Sequence, residues 1–421
     1  MGWRAKAGCR QKLLAGGLIF NRSIAKKSAK SKTSAGNAKL VAASAAAAKS
    51  QSLPEPLTKS IVAVVDGNAV LRSKVVAGLS AMQIASYAYS VAIQKNPRVV
   101  HISFDTNKNH SLLRHELHAK RQRKQTVTKA DKQKFLKAFK CTTVEDLWKI
   151  NAAHLPLYKK TGVDWTVAFA FSDIKQWAWT VFEYCLRYIA TEKKALQPES
   201  APTCMIYCSN GTTEHAVAAG KTSSAESSKY RYQESDLDVY SKAAQQHDEH
   251  TLLHSIDTDL LLILFAMANQ PLKGKLWICL KNEAYCAHKL IASLTDKSTA
   301  AQLNVAFWMM ALGTDYNDSL TTVGYYTNDL LALIESKPSG PFKAVSDTSY
   351  MFVLSDALQL LPKKVCQKKN VPANVNSLLK RIAVSVQYYG KWWNTVTHPS
   401  GPDVPSFDNV DTNFTMLLEK I

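Results

Sequence analysis

Carboxylates recur in five short segments of this chain, in spacings that suit the binding of hard metal ions. They are IVAVVDGNA with Asp66, HISFDT with Asp105, YQESDLD with Glu234, Asp236 and Asp238, LLHSIDTDLLLI with Asp257 and Asp259, and MMALGTDYND with Asp315. Two of the segments end a β-branched apolar run and a third sits within one. That is how a buried parallel strand delivers a carboxylate to its C-terminal edge, the edge at which open α/β sheets bind ligands. Asp66, Asp105, Glu234, Asp236, Asp257, Asp259 and Asp315 gathered there would repel one another unless cations neutralised them. An all-oxygen donor set of this kind suits Mg²⁺ or Mn²⁺. One register stays open, because Asp236 and Asp238 have the same spacing as Glu234 and Asp236. A single strand-end Asp is usually a turn or N-cap residue, so the weight rests on the five segments together.

The elements that must hold these acids are legible in outline. Residues 60–66 read as a buried strand and 70–95 as a helix, and VVHISFD after Pro97 reads as a second strand. Residues 144–192 are rich in Trp, Tyr and Phe. Aromatics beside a basic channel can stack single-stranded bases, but the simpler reading is a core, with a helix over 173–195 packed on the sheet. TCMIYCS is the third strand, and the small polar residues of 209–229 read as a surface loop. A helix over 234–246 follows, then a strand through HTLLHS and another through KLWICLK. Residues 299–312 form an apolar helix, and the chain beyond about 330 reads as mostly helical. The pattern is an α/β fold with a central, mostly parallel sheet flanked by helices.

Bulk properties narrow the partners. The chain has 421 residues, 46% of them hydrophobic, and a formal charge of +20, which fits a polyanionic partner such as nucleic acid or an anionic membrane surface. No apolar run reaches the ~18 residues of a membrane-spanning helix. The eight cysteines show no zinc-ribbon or zinc-finger spacing and read as buried, reduced thiols. The first 54 residues hold eleven Lys or Arg and no acid. Such a stretch reads either as a mitochondrial-type presequence or as a basic arm with a nuclear address. From Arg114 to Lys140, ten Lys or Arg face two acids on a helical period. Arg114 and Arg121 are seven residues apart, about two helical turns, so they share one face. Lys120, Arg123 and Lys124 belong to the same run.

The order and wording of the acidic segments resemble the flap endonuclease family, the XPG/FEN-like 5′ nucleases with a PIN-like fold. Glu234-Ser235-Asp236 resembles that family's acidic pair, Asp257-Thr258-Asp259 its Asp-x-Asp pair, and Gly313-Thr314-Asp315-Tyr316 the opening of its helix–hairpin–helix. The resemblance spans roughly residues 60–330. It implies a basic region over 1–59, a nuclease core over 60–330 and a helical extension over 331–421. Within the core it implies a basic helical arch over about 110–195 and a helix–hairpin–helix over about 300–330. Two metal ions would be shared, one by Asp66, Asp105, Glu234 and Asp236, the other by Asp257, Asp259 and Asp315. Arg114 and Arg121, with Lys120, would hold the scissile phosphate, and Arg72, Arg123, Lys124 and Gly324 would contact nucleic acid. The family's hairpin holds a monovalent cation, but Thr322 stands here in place of its first glycine. Arg72 stands where the family often places an aromatic. The implied activity is metal-dependent hydrolysis of DNA at a 5′ flap or free 5′ end, leaving a 5′-phosphate. The alternatives are an RNA nuclease of the same superfamily and a catalytically degenerate binding member. The C-terminus carries no convincing sliding-clamp peptide, and a nuclear location is expected, with a mitochondrial one following from the acid-free N-terminus.

Overall fold

The structure is a computed structural model. It describes residues 61–73, 78–105, 127–150, 155–210, 213–218, 221–226, 235–244, 246, 250–255, 259–266, 275–280, 283–295, 298–311, 340–344, 349–361, 375–391 and 417–419. The chain divides into two compact units, one of residues 54–256 and one built on residues 257–421.

The first unit begins with β1 (Ile61–Asp66), α1 (Gly67–Arg72), α2 (Ala81–Ala92) and β2 (Val99–Ser103). Five helices follow: α3 (Lys129–Ala138), α4 (Val144–Trp148), α5 (Leu155–Tyr158), α6 (Trp165–Ala170) and α7 (Ser172–Leu196). The unit closes with β3 (Thr203–Tyr207), β4 (Thr213–Ala218), β5 (Lys221–Glu226), α8 (Ser235–Ala244) and β6 (His250–Ser255). Its strands lie in the order β5-β4-β3-β2-β1-β6. β3, β2, β1 and β6 run parallel, and β4 and β5 continue antiparallel. Every residue of β1 is buried, as expected of a central strand covered on both faces. The registers Asp66↔Ser103 and Ser103↔Tyr207 bring the C-terminal ends of β1, β2 and β3 out together.

Helices cover the sheet because their apolar spacing allows it. α2 starts on a capping box between Ser80 and Gln83, and buries Ile84, Ala85, Ala88 and Ala92. It packs against α7, which buries Ile174, Trp177, Ala178, Val181, Phe182, Cys185 and Leu186 at helical spacing. The aromatic segment is core, as its composition indicates. Trp165 stacks on Trp177 at 6.1 Å, with Phe135, Phe139 and Phe182 around it. Each of these rings contributes about 1.5–3 kcal/mol by leaving water. α3 to α7 therefore share one hydrophobic core with α2 and the sheet.

The loop expected over 209–229 is instead the hairpin β4–β5, paired from Thr213↔Glu226 to Ala218↔Lys221. The Asn210 side chain folds the turn by accepting from the Thr213 N–H at 2.9 Å and donating to its hydroxyl at 2.8 Å. Small polar residues suit this edge of the sheet, where the strands need a ladder partner but little apolar burial.

The second unit contains α9 (Asp259–Ala266), β7 (Lys275–Leu280), β8 (Glu283–Cys286), α10 (Ala287–Leu294) and α11 (Thr299–Met310). After these come β9 (Phe342–Ala344), β10 (Ser349–Phe352), α12 (Leu354–Leu360), α13 (Val375–Lys391) and β11 (Leu417–Glu419). β7 and β8 form an antiparallel hairpin. α11 is buried from Gln302 to Met310 and packs on α9 and α13. The C-terminal region is less uniformly helical than its sequence implies, because β9, β10 and β11 make a small antiparallel sheet. Asn304 of α11 pins β9 by accepting from the Phe342 N–H at 2.8 Å and donating to its carbonyl. The six described cysteines are buried and unbridged. No described helix is long and apolar enough to cross a membrane.

Candidate functional site

Two of the expected acids meet at the C-terminal edge of the first unit's parallel strands. β1 ends at Asp66, and Asp105 follows the end of β2 by two residues. Ser235, the first residue of α8, ties them together. Its backbone N–H donates to Asp105 Oδ1 at 2.8 Å, and its hydroxyl donates to Asp66 Oδ1 at 2.7 Å. Ser255, the last residue of β6, donates to Asp66 Oδ2 at 2.9 Å. The Ala69 N–H completes the set at 3.1 Å, so Asp66 also N-caps α1. Asp66 thus fills the ordinary role of a strand-end Asp, capping the helix that follows.

Asp66 is buried, and its surroundings disfavour the charged form. Burial first, and the negative charge of Asp105 second, push its carboxyl from 3.8 up to about 6. The hydrogen bonds from Ser235, Ala69 and Ser255 pull the other way without restoring the ordinary value. Three of the roughly four acceptor positions of a carboxylate are occupied by these donors. The donor set at the pair is oxygen throughout, which fits a hard divalent cation. His254, beside Ser255 on β6, adds no positive charge, because burial lowers its imidazole to about 4.

Two close approaches hold the pair in place. A Cβ on Gly67 would lie 2.9 Å from the Ser103 carbonyl oxygen and 3.1 Å from Ile102 and Phe104 side-chain atoms. Only glycine therefore lets α1 start so near β2. On the other side, Ser103 donates its hydroxyl to Asp238, anchoring α8 to the same strand. Asp238 is fully buried in that contact, so this acid of the third segment has a role in fixing α8.

Arg72 ends α1 and places its guanidinium over the Phe169 ring, 5.7 Å from the centroid. Its stacking partner in this structure is thus the protein's own aromatic. Asp236 lies in the first turn of α8, and Asp259 opens α9 of the second unit. Glu234, Asp257, Asp315, Arg114, Lys120, Arg121, Arg123, Lys124 and Gly324 lie outside the described residues. So do residues 1–59, and with them the basic arm, and 312–330, with most of the expected hairpin. Among the described residues, no group of three or more His, Cys, Asp or Glu is placed to hold a metal ion. Ser235, Ser255 and Ser103 carry no signal at the level of sequence. Ser235 was visible only as the residue between two acids, and nothing in its type marked it as the bridge.

The fold and site define an α/β protein with a mostly parallel sheet and paired carboxylates at that sheet's C-terminal edge. Comparison with known proteins adds a shape likeness. The chain is similar to the flap endonuclease of bacteriophage T5, solved as a pseudo-enzyme–product complex with DNA and metal ions. The TM-score is 0.36 with 14% identity, over 83% of this chain and 96% of that one. No family profile matches the chain, and no curated protein does.

Proposed function

We propose that the chain is a metal-dependent 5′ nuclease acting on DNA with a 5′ flap or a free 5′ end. The observation that carries this reading is the Asp66–Asp105 pair, bridged by Ser235 at the C-terminal edge of the sheet. A buried carboxylate raised to about 6 by burial and by a neighbouring carboxylate is costly unless a cation is its partner. The order of the five acidic segments and the charge of +20 support a phosphate-rich substrate.

Asp66 and Asp105 would hold one Mg²⁺ or Mn²⁺, with Glu234 and Asp236 contributed from the start of α8. Asp257, Asp259 and Asp315 are the proposed ligands of a second ion. Bound there, divalent ions supply neutralisation of the scissile phosphate and acidification of the attacking water. The chain's own part is positional. Ser235 keeps the two carboxylates in register through one N–H and one hydroxyl, and Ser255 fixes the second oxygen of Asp66. Arg114, Lys120 and Arg121 are the proposed phosphate contacts, and Arg123, Lys124 and Gly324 the proposed contacts along the strand. Water attacks phosphorus, the P–O3′ bond breaks, and the products are a 5′-phosphate and a 3′-hydroxyl.

The test is cleavage of a 5′-labelled flap DNA and its RNA counterpart in Mg²⁺ or Mn²⁺ against EDTA. Asp66→Asn and Asp105→Asn are run beside the wild type. Metal-dependent cutting of DNA, reduced at least about a thousandfold in either variant, supports the reading. Cutting confined to RNA moves the substrate class. Tight binding with no cutting of either polymer makes the chain a degenerate binding member and sinks the nuclease assignment.

A further inference from the structure

A cavity of about 280 Å³ opens beside the same edge of the sheet, between α7, the ends of α4 and α5, and the β3–β4 turn. Its lining combines flat rings with one cation. Trp148 stands at its mouth, 48% exposed, although most large apolar side chains of the unit are buried. Tyr158 and Tyr184 form a ring pair on the wall, 5.7 Å apart. Arg187 sits between them and β4, its guanidinium 5.3 Å from the Tyr184 centroid.

The partners of Arg187 explain why the cavity calls for an anion. Its guanidinium donates to His215 Nε2 at 3.1 Å, and no carboxylate pairs with it among the described residues. His215 is held below its ordinary value by burial and by Arg187 itself, so it accepts as a neutral ring. Glu183 is the acid lining the cavity, and one of its carboxylate oxygens accepts the Ser209 N–H at 2.7 Å. A guanidinium held in place by an imidazole and a ring face keeps donors available for a phosphate.

We propose that this cavity is a subsite for one nucleotide of a single strand, with the base against Trp148 and Tyr184 and the phosphate on Arg187. Aromatic faces take any base by stacking, and a cation beside them takes the backbone. The volume lies at the small end of ligand sites, which suits one nucleotide and excludes a duplex. Strand spacing of about 4.8 Å puts the cavity about two strands along the edge from the end of β2, where Asp105 lies. A strand engaged at Asp66 and Asp105 would therefore reach it within about two nucleotides. The inference rests on the nucleic-acid reading of the site and names a second contact for the same strand.

The experiment uses the full chain in EDTA, so that binding is read without cutting. A fluorescein-labelled single-stranded 12-mer is titrated by anisotropy against wild type, Arg187→Ala, Arg187→Lys and Trp148→Ala. Arg187→Ala and Trp148→Ala each weaken binding about tenfold, and Arg187→Lys recovers part of the loss. A 12-mer of abasic residues makes Trp148→Ala indistinguishable from wild type. Deoxyadenosine monophosphate is titrated separately, following Trp148 fluorescence as the difference from Trp148→Phe. It binds far more weakly than the 12-mer, because it lacks the flanking contacts. Equal affinity for the mononucleotide and the 12-mer would make the cavity a free-nucleotide site and overturn the strand subsite. So would wild-type binding by both alanine variants. A protein that cuts DNA but ignores these variants loses the subsite alone. One that binds through Arg187 and Trp148 but never cuts loses the nuclease reading and keeps the subsite.

Discussion

Replacing Asp66 by Asn should make the metal-free protein more stable at neutral pH, by an amount the structure sets. The carboxyl rises from 3.8 to about 6 on folding. At 1.36 kcal/mol per pKa unit, this difference is worth about 3 kcal/mol. The sign follows from the direction. A raised folded value means that the stability Asp66 contributes is fully present below about pH 4 and is lost as pH climbs through about 6. Asn carries no charge to desolvate. Its oxygen can still accept from Ala69 and Ser235, and its amide can donate to the Ser255 hydroxyl, so the three contacts survive the exchange. Urea and thermal unfolding in EDTA, from pH 4 to 7.5, would measure the gap between Asp66→Asn and wild type. It should widen by about 2.5 kcal/mol across that range, or about 5–10 °C in Tm for a unit of this size. Adding Mg²⁺ at pH 7.5 should stabilise the wild type more than the variant, which keeps only the proposed ligands of the second ion intact. A gap independent of pH, or a variant less stable than wild type at pH 7.5, would refute the claim that Asp66 is an uncompensated buried anion.

Two further substitutions test the support of the pair. Ser235→Ala removes a hydroxyl that lowers the Asp66 carboxyl and leaves the backbone N–H to Asp105 in place. The pH profile of cleavage should shift upward and Mg²⁺ affinity should fall about three- to tenfold, and Ser235→Thr should rescue part of both. An unchanged profile would show that Ser235 only caps a helix. Gly67→Ala places a methyl 2.9 Å from the Ser103 carbonyl oxygen. It should cost about 1–3 kcal/mol of stability and reduce cleavage by about a hundredfold, because α1 must move and carry Asp66 with it. A loss of stability with full activity would mean that the pair tolerates that displacement.

The central elements were readable because burial imposes strong patterns. IVAVVD has no polar residue before its terminal acid, and a strand covered on both faces tolerates nothing else. The aromatic spacing along α7 likewise left a core helix as the simplest reading. The β4–β5 hairpin escaped because an edge strand needs backbone partners and little side-chain burial. TEHAVA and KTSSAE therefore look like loop until the ladder is seen. β9, β10 and β11 escaped for a related reason. Each is three or four residues long, too short to show a period, and their pairing joins segments far apart in the chain.

The site was legible in its charges but not in its connectors. An acid at the end of an apolar run announces itself, because a carboxylate there needs a reason. A serine does not, since it is tolerated almost anywhere. Yet Ser235 decides the geometry: one residue satisfies Asp66 with its side chain and Asp105 with its backbone. Its position at the start of α8 makes both bonds available, because the first N–H groups of a helix have no partner within it. Asp105 thus takes a donor that the helix cannot use, and Asp66 takes the hydroxyl beside it. Moving the start of α8 by one residue would place Glu234 or Asp236 there instead, bringing a third negative charge against two carboxylates where a donor now stands. An uncharged donor at this position is therefore a geometric requirement for closing the pair.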